Sequence, residues 1–284
     1  MRIGIGLPNT LQIDGTAVSA WAERAEDRGF AYLATIDRVV YPSYDSLMSL
    51  AVAAGATSRI ELMTNVLLAP AYPPVWLAKM TASLDAMSGG RLTVGLGVGG
   101  RPDDFAAVER PFDRRGRLMD ETLELLHRAW AGESVAGSDL PVGPAPAHGG
   151  RIPVMLGGGS DAAVRRTVTY GAGWTAGGGG PDLVLPMVMK IRKAWSEAGR
   201  AGEPRIGALA YFGLGDDAAS RASLRRYYGF LGGWVEAIVE GALRTPQAVA
   251  AALTAYEDVG VGELALMPTV PSINEVDLLA DIVL

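Results

Sequence analysis

Along the first hundred residues, short apolar runs alternate with stretches in which apolar positions recur every three or four residues. The runs begin near Arg2, Phe30, Ile60 and Arg91. A repeat of about 30 residues, strand-like and then helix-like, is the signature of successive βα units. The first periodic stretch shows the logic. Val18, Trp21, Ala22 and Ala25 form an apolar stripe, Glu23, Arg24, Glu26 and Asp27 face water, Thr16 stands where a cap is wanted, and Gly29 follows as a terminator. The second half continues at wider spacing. Strands are expected at Ile152–Leu156, Trp174–Ala176, Arg205–Phe212 and Glu263–Met267, and helices at Arg117–Trp130, Asp161–Tyr170, Leu183–Ala198, Pro246–Val259 and Val276–Val283. Alternation sustained to an eighth strand predicts an α/β fold, a closed (β/α)8 TIM barrel spanning residues 1–284 as one domain. An open doubly wound sheet is the competing architecture.

Two segments exceed a minimal βα unit. Residues 132–151, rich in Pro and Gly, read as an insertion after the fourth unit, and residues 216–244 carry extra helix before the eighth strand, with Tyr227, Tyr228, Phe230 and Trp234. Long connections in compact barrels often serve as lids or substrate-binding elements, although a surface helix with a packed aromatic face accounts for the second equally well.

Composition narrows the chemistry. The chain has 284 residues, 49% of them hydrophobic, and a net charge of −6, which gives no footprint for nucleic acid. No apolar run reaches the ~18 residues of a membrane span, and Met1 leads straight into a strand pattern, so a soluble, cytosolic protein is expected. With no cysteine and only His127 and His148, thiolate chemistry and His-rich metal sites are unavailable. His127 falls on the polar side of its helix with Asp120 and Glu124 and is expected in solvent. His148 reaches the pocket only if its loop folds inward. The lysines, Lys79, Lys190 and Lys193, all fall in helical patterns rather than at strand ends, which disfavours Schiff-base chemistry. What remains is chemistry carried by an organic cofactor, with no metal.

In a barrel the loops after the strands build the active site. Gly157-Gly158-Gly159-Ser160 follows an apolar strand and opens a helix, so its amides suit a phosphate, with Ser160 also a natural N-cap. Gly177 and Gly178 add backbone donors on the same side. Gly95–Gly100 fits the GxGxxG pattern, but Asp120 and Glu121 lie inside a helix rather than at a second strand end; Gly97 and Gly99 are better read as letting a flat ring approach the strand. Asp37 and Arg38 close the second strand as a structural pair or as ligands, Asp37 to a ring or hydroxyl and Arg38 to an anion. Tyr41, Tyr44, Tyr72 and Trp76 follow nearby strand ends and are candidates to line an aromatic pocket.

These residues resemble the bacterial luciferase-like flavin and deazaflavin oxidoreductases along nearly the whole chain. The most specific segment runs from Leu77-Ala78-Lys79 through Thr81–Met87 to Ser88-Gly89-Gly90-Arg91 and the glycine-rich fourth strand. Asp103-Asp104-Phe105, Arg114–Arg117, Asp120-Glu121 and Trp130 resemble the next block, and Gly157–Ser160 with Gly171-Ala172-Gly173-Trp174 a later one. The resemblance implies a barrel holding coenzyme F420, or alternatively FMN, at the strand C-termini. It implies phosphate contacts at Gly157, Gly158, Gly159 and Ser160, with Gly177 and Gly178 nearby, and Asp37 beside the ring or polyol. It also implies a non-proline cis peptide at Asn65-Val66 behind the ring; the residues themselves make Arg38, Tyr41 and Tyr72 the expected substrate contacts. The expected activity is hydride transfer to or from a small organic substrate, with O2-dependent monooxygenation and a non-catalytic flavin carrier as alternatives. A Lys-poor, Ala/Gly/Arg-rich composition fits the high-GC organisms in which deazaflavin enzymes are frequent, and a homodimer is expected. Two departures matter. Arg38 stands where many relatives have His, and Arg101 where some have Glu, so no acid–base residue is carried over.

Overall fold

The computed structural model describes residues 1–135, 137 and 139–284. Among the described residues, eight parallel strands close into a barrel in sequence order, β1 paired with β2 and so on to β8, which returns to β1. The strands are β1 Arg2–Gly6, β2 Tyr32–Thr35, β3 Glu61–Leu68, β4 Leu92–Gly97, β5 Val154–Gly157, β6 Gly173–Thr175, β7 Arg205–Phe212 and β8 Glu263–Pro268. The closed ring excludes the open sheet. The helices are α1 Ala17–Arg28, α2 Ser46–Ala56, α3 Pro74–Met87, α4 Pro102–Ala107, α5 Arg115–Trp130, α6 Asp161–Tyr170, α7 Pro181–Glu197, α8 Asp217–Tyr228, α9 Val235–Glu240, α10 Pro246–Asp258 and α11 Asn274–Val283. Each strand from β1 to β7 connects to the next through helix, and α11 follows β8. α4 is added after β4, and α8 and α9 are added after β7.

Side chains alternate across each strand, and the two faces have different partners. Ile5, Leu33, Leu62, Val94, Leu156, Ile206 and Leu264 face outward and pack with the helices in the main core. The opposite parity fills the barrel itself: Tyr32, Met63, Met155, Leu209, Tyr211, Ala265 and Met267 form a second apolar cluster. A Cβ on Gly4 would stand 2.3 Å from the Tyr32 ring, so the small residue in β1 is what admits that ring. Below this layer, Arg205 holds Glu263 with both arms (2.7 and 2.8 Å) and reaches Thr93, while Arg2 pairs with Glu61. This charged layer closes the N-terminal end.

Three expectations are corrected here. The cap of α1 is not Thr16, whose side chain makes no capping bond; Asp14 Oδ1 instead accepts from the Thr16 amide and hydroxyl. His127 is half-buried, not solvated, between Trp130 and Tyr170, because α6 packs over that side of α5. Burial and nearby Arg151 lower its pKa below the ordinary value. The insertion at 132–151 connects a helix to the following strand, so it lies at the N-terminal face. Ala147 N donates to Asp85, and His148 stands beside Gly90, far from any strand C-terminus. Positions 136 and 138 of that insertion lie outside the described residues.

The Ser88–Arg91 segment is likewise part of the N-terminal face. Arg91 donates to the carbonyls of Ser88, Ile60, Ala54 and Thr57 and to the Thr57 hydroxyl, tying α2, α3 and β3 together.

Candidate functional site

At the C-terminal mouth, β3 departs from regular pairing. The register with β4 shifts between Thr64 and Leu67, and the Asn65-Val66 peptide is cis, as the family resemblance implied. The irregularity turns Val66 inward over β4 and β5, so that Cβ atoms added at Gly97 and Gly157 would stand 2.7 and 3.5 Å from its methyls. Gly97 thus makes room for the protein's own valine. Asn65 is buried, and its Oδ1 accepts from the Thr175 hydroxyl of β6 at 3.0 Å, while its Nδ2 donates to no described residue. Val66, Asn65 and Thr175 form the floor of the mouth.

The glycine turn after β5 stands at one side. Ser160 caps α6 through its hydroxyl (3.2 Å to Ala163 N), which satisfies one donor of that helix end. Gly158 has φ 109°, a backbone conformation that side chains rarely adopt, and its carbonyl accepts from Trp174 Nε1. The amides of Gly158, Gly159 and Ser160, and those of Gly177 and Gly178 after β6, donate to no acceptor among the described residues. Asp161, the acid nearest this turn, is paired with Lys190. The result is an open, amide-lined cradle without a competing negative charge, and a phosphate fits it.

Across the mouth, Asp37 lies just after β2. It is 6% exposed, and its Oδ2 accepts from the Leu68 amide (2.9 Å) and the Tyr72 hydroxyl (3.1 Å). Its Oδ1 accepts from no described residue. Burial outweighs these two donors and raises the pKa to about 6. Protonated Asp37 is therefore the better-buried form. Its contribution to stability is fullest below the ordinary value of 3.8 and declines as pH rises through about 6. We expect Asp37→Asn to flatten that part of the decline in urea-unfolding midpoints between about pH 4 and pH 7. An unchanged pH slope in the variant contradicts this.

Arg38 does not pair with Asp37. Its Nη1 donates to the Tyr227 carbonyl (2.7 Å), and its guanidinium lies 4.7, 5.3 and 5.2 Å from the ring centroids of Tyr41, Tyr227 and Phe230. Arg101 approaches the same Tyr227 and Phe230 rings and is held by Asp104, whose other oxygen accepts the amides of Val39 and Val40. α8 and the turn at Gly229–Trp234 thus fold over the mouth. Under this cover, the hydroxyls of Tyr211, pointing up from β7, and Tyr228 meet at 2.5 Å. Burial raises the pKa of both, so both stay protonated near neutral pH.

Most of the sequence-predicted residues therefore gather at one end of the barrel: Asp37, Arg38, Tyr41, Asn65, Val66, Tyr72, Gly97, Gly157–Ser160, Gly177 and Gly178. Gly99 lies one loop further out, against Phe105. Trp76 is 60% exposed on the outer side of α3, and the Tyr44 hydroxyl is spent on the Ile13 carbonyl, so neither lines the mouth. Sequence reasoning did not single out Tyr211 or anticipate that Arg101 would share rings with Arg38. The inward parity of β7 marks Tyr211, but the Arg101 contact depends on how α8 folds back. Among the described residues, no group of His, Cys, Asp or Glu side chains is arranged to hold a metal ion, and no helix is long and apolar enough to cross a membrane.

At the C-terminal mouth of the barrel, an amide cradle after β5 and β6 thus faces a buried acid after β2. Residues 1–266 match the family model described as luciferase-like monooxygenase, and the chain belongs to that family of oxidoreductases. An uncharacterized protein of Mycobacterium tuberculosis is 30% identical over 187 residues, 63% of this chain and 64% of that protein, so the match spans under two thirds of the relative's length. The fold is shared with the monooxygenase RslO1 of Streptomyces bottropensis (TM-score 0.83, 24% identity, covering 100% of this chain and 98% of that one). It is shared also with an F420-dependent secondary alcohol dehydrogenase in complex with an F420-acetone adduct (TM-score 0.83, 17% identity, covering 99% and 98%).

Proposed function

We propose that this protein is a deazaflavin-dependent oxidoreductase that transfers hydride to or from a small organic substrate at the barrel mouth. The observation that carries the reading is the opposition of two unlike features across the same floor. Free amides stand after β5 and β6, and Asp37 Oδ1 with Asn65 Nδ2 stands after β2 and β3. In this reading the amides of Gly158, Gly159, Ser160, Gly177 and Gly178 hold the phosphate, Val66 supports the ring from behind, and Asp37 and Asn65 fix its polar edge. The deazaflavin, when bound, supplies the hydride acceptor or donor. The segment from α8 to α9 excludes water, and the Tyr228 hydroxyl, held by Tyr211, stores the proton that accompanies the hydride. The whole-chain likeness to an F420-dependent dehydrogenase supports the choice of coenzyme.

The second reading is FMN-dependent monooxygenation with O2, favoured by the family description and by the likeness to a monooxygenase. Titration of the purified protein with coenzyme F420 and with FMN separates the two, and affinity for neither at micromolar concentration defeats both. We expect Tyr228→Phe to lower kcat by roughly 100-fold with cofactor Kd unchanged. A kcat within about twofold of wild type rules the hydroxyl out. We further read residues 1–284 as one cytosolic domain that pairs as a homodimer. Support for pairing comes from Met48, Val52, Trp76 and Met87, which are exposed on neighbouring α2 and α3.

A further inference from the structure

Arg38 is less fully compensated than Arg91, Arg166 and Arg205; Arg115, at the start of α5, shares its pattern of one carbonyl, a buried unpartnered Nε and a ring contact. Arg91 spends its guanidinium on four carbonyls and a hydroxyl, Arg166 on Asp120 and a carbonyl, and Arg205 on Glu263 and Thr93. Arg38 offers five N–H donors. Among the described residues it satisfies a single acceptor, the Tyr227 carbonyl, and its Nε is buried with no partner. It has no carboxylate within ion-pair distance. The acids around it are already engaged: Asp37 with the Leu68 amide and Tyr72, and Asp104 with Arg101 and two amides. A half-buried cation wrapped by three rings is incompletely compensated, because cation–π contacts replace only part of its hydration. Close by, Arg226 lines a cleft of about 210 Å³ with Thr10, Gln12, Tyr41 and Pro42, and makes no ion pair among the described residues.

The location decides which anion fits. β2, which Arg38 follows, and β6, which one half of the amide cradle follows, are four strands apart in an eight-strand ring and so lie on opposite sides. A cofactor phosphate seated on the cradle cannot also reach Arg38. Resting on the redox reading of this mouth, we propose that its β2 edge seats the anionic group of the substrate. The substrate is an organic carboxylic acid whose carboxylate lies on Arg38 and whose apolar body lies against Tyr41, Tyr227 and Phe230. A charge-assisted bond to the unengaged Nη2 is what this guanidinium offers a carboxylate, and the rings exclude competing water.

Calorimetric titration with benzoate and with its neutral isostere benzamide, each with and without saturating cofactor, tests this. Benzoate is expected to bind at least ~10-fold tighter than benzamide, the difference disappearing in Arg38→Gln and being largely kept in Arg38→Lys. Arg38→Met, which keeps an apolar stem between the rings, serves if Arg38→Gln is misfolded by circular dichroism. Equal binding of the two probes, binding of neither, or a preference for benzoate that survives both charge-removing variants overturns the proposal. Cofactor titration of the same samples keeps the two readings apart. No affinity for either cofactor defeats the redox reading but leaves the probe comparison on the cofactor-free protein decisive. Cofactor binding with equal probe affinities defeats the substrate class alone.

Discussion

Gly158→Asp is expected to weaken cofactor binding by ~100-fold or more while the barrel remains folded. The substitution sets a carboxylate among the amides of Gly158, Gly159 and Ser160, the group to which we assign the phosphate. Two like charges at contact distance in a partly desolvated turn cost about 3 kcal/mol, the equivalent of that loss. Gly158 also has φ 109°, so any side chain there strains the backbone as well. Two controls separate the causes. Gly158→Asn imposes the same strain without charge, and Gly159→Asp adds the charge where no positive φ is required and a Cβ meets open space. If charge is what matters, Gly159→Asp falls close to Gly158→Asp, and Gly158→Asn keeps most of the affinity. Unchanged binding in both Asp variants, measured by fluorescence titration of folded protein, removes the phosphate from this turn.

The second large effect is on stability. Gly95→Ala is expected to destabilise the protein by roughly 3 kcal/mol or more. Gly95 faces into the barrel where β3 leaves its regular path, and a Cβ there would stand 2.0 Å from the Thr64 carbonyl oxygen. The obstacle is backbone, not the end of a flexible side chain, and the same residues are joined by two 2.8 Å bonds through the Thr64 hydroxyl. Relief therefore requires moving β3 against β4 and carrying Asn65 and Val66 with it. The urea-unfolding midpoint should fall sharply, and cofactor affinity with it. Gly55→Ala, at a helical glycine with nothing near its Cβ, should leave cofactor affinity unchanged and raise the midpoint slightly. A Gly95→Ala protein within about 1 kcal/mol of wild type shows that β3 can slide freely.

The strands were legible because their apolar runs are short, buried on both faces and punctuated by glycine, and the helices because their stripes are regular. α6 was readable to its end residues, since Ser160 marks its start and Gly171 its stop. The floor of the mouth was legible only through resemblance: nothing in Thr64-Asn65-Val66 announces a cis bond. The most specific part of the resemblance, Ala78–Gly99, spans both ends of the barrel: Ser88–Arg91 stitches the N-terminal face, and Gly97 meets Val66 at the mouth. The surroundings of Arg38 were illegible for another reason. Its aromatic partners Tyr227 and Phe230 come from almost 190 positions away, and local pattern carries no information about which way α8 folds back.

The barrel is stoppered from below. Tyr32, Met63, Met155 and Met267 fill its bore, and the Arg205–Glu263 pair seals the layer beneath them. On the proposed reading, traffic is consequently one-ended: reactant and product share the doorway under the α8 canopy, and a spent molecule leaves before its successor enters.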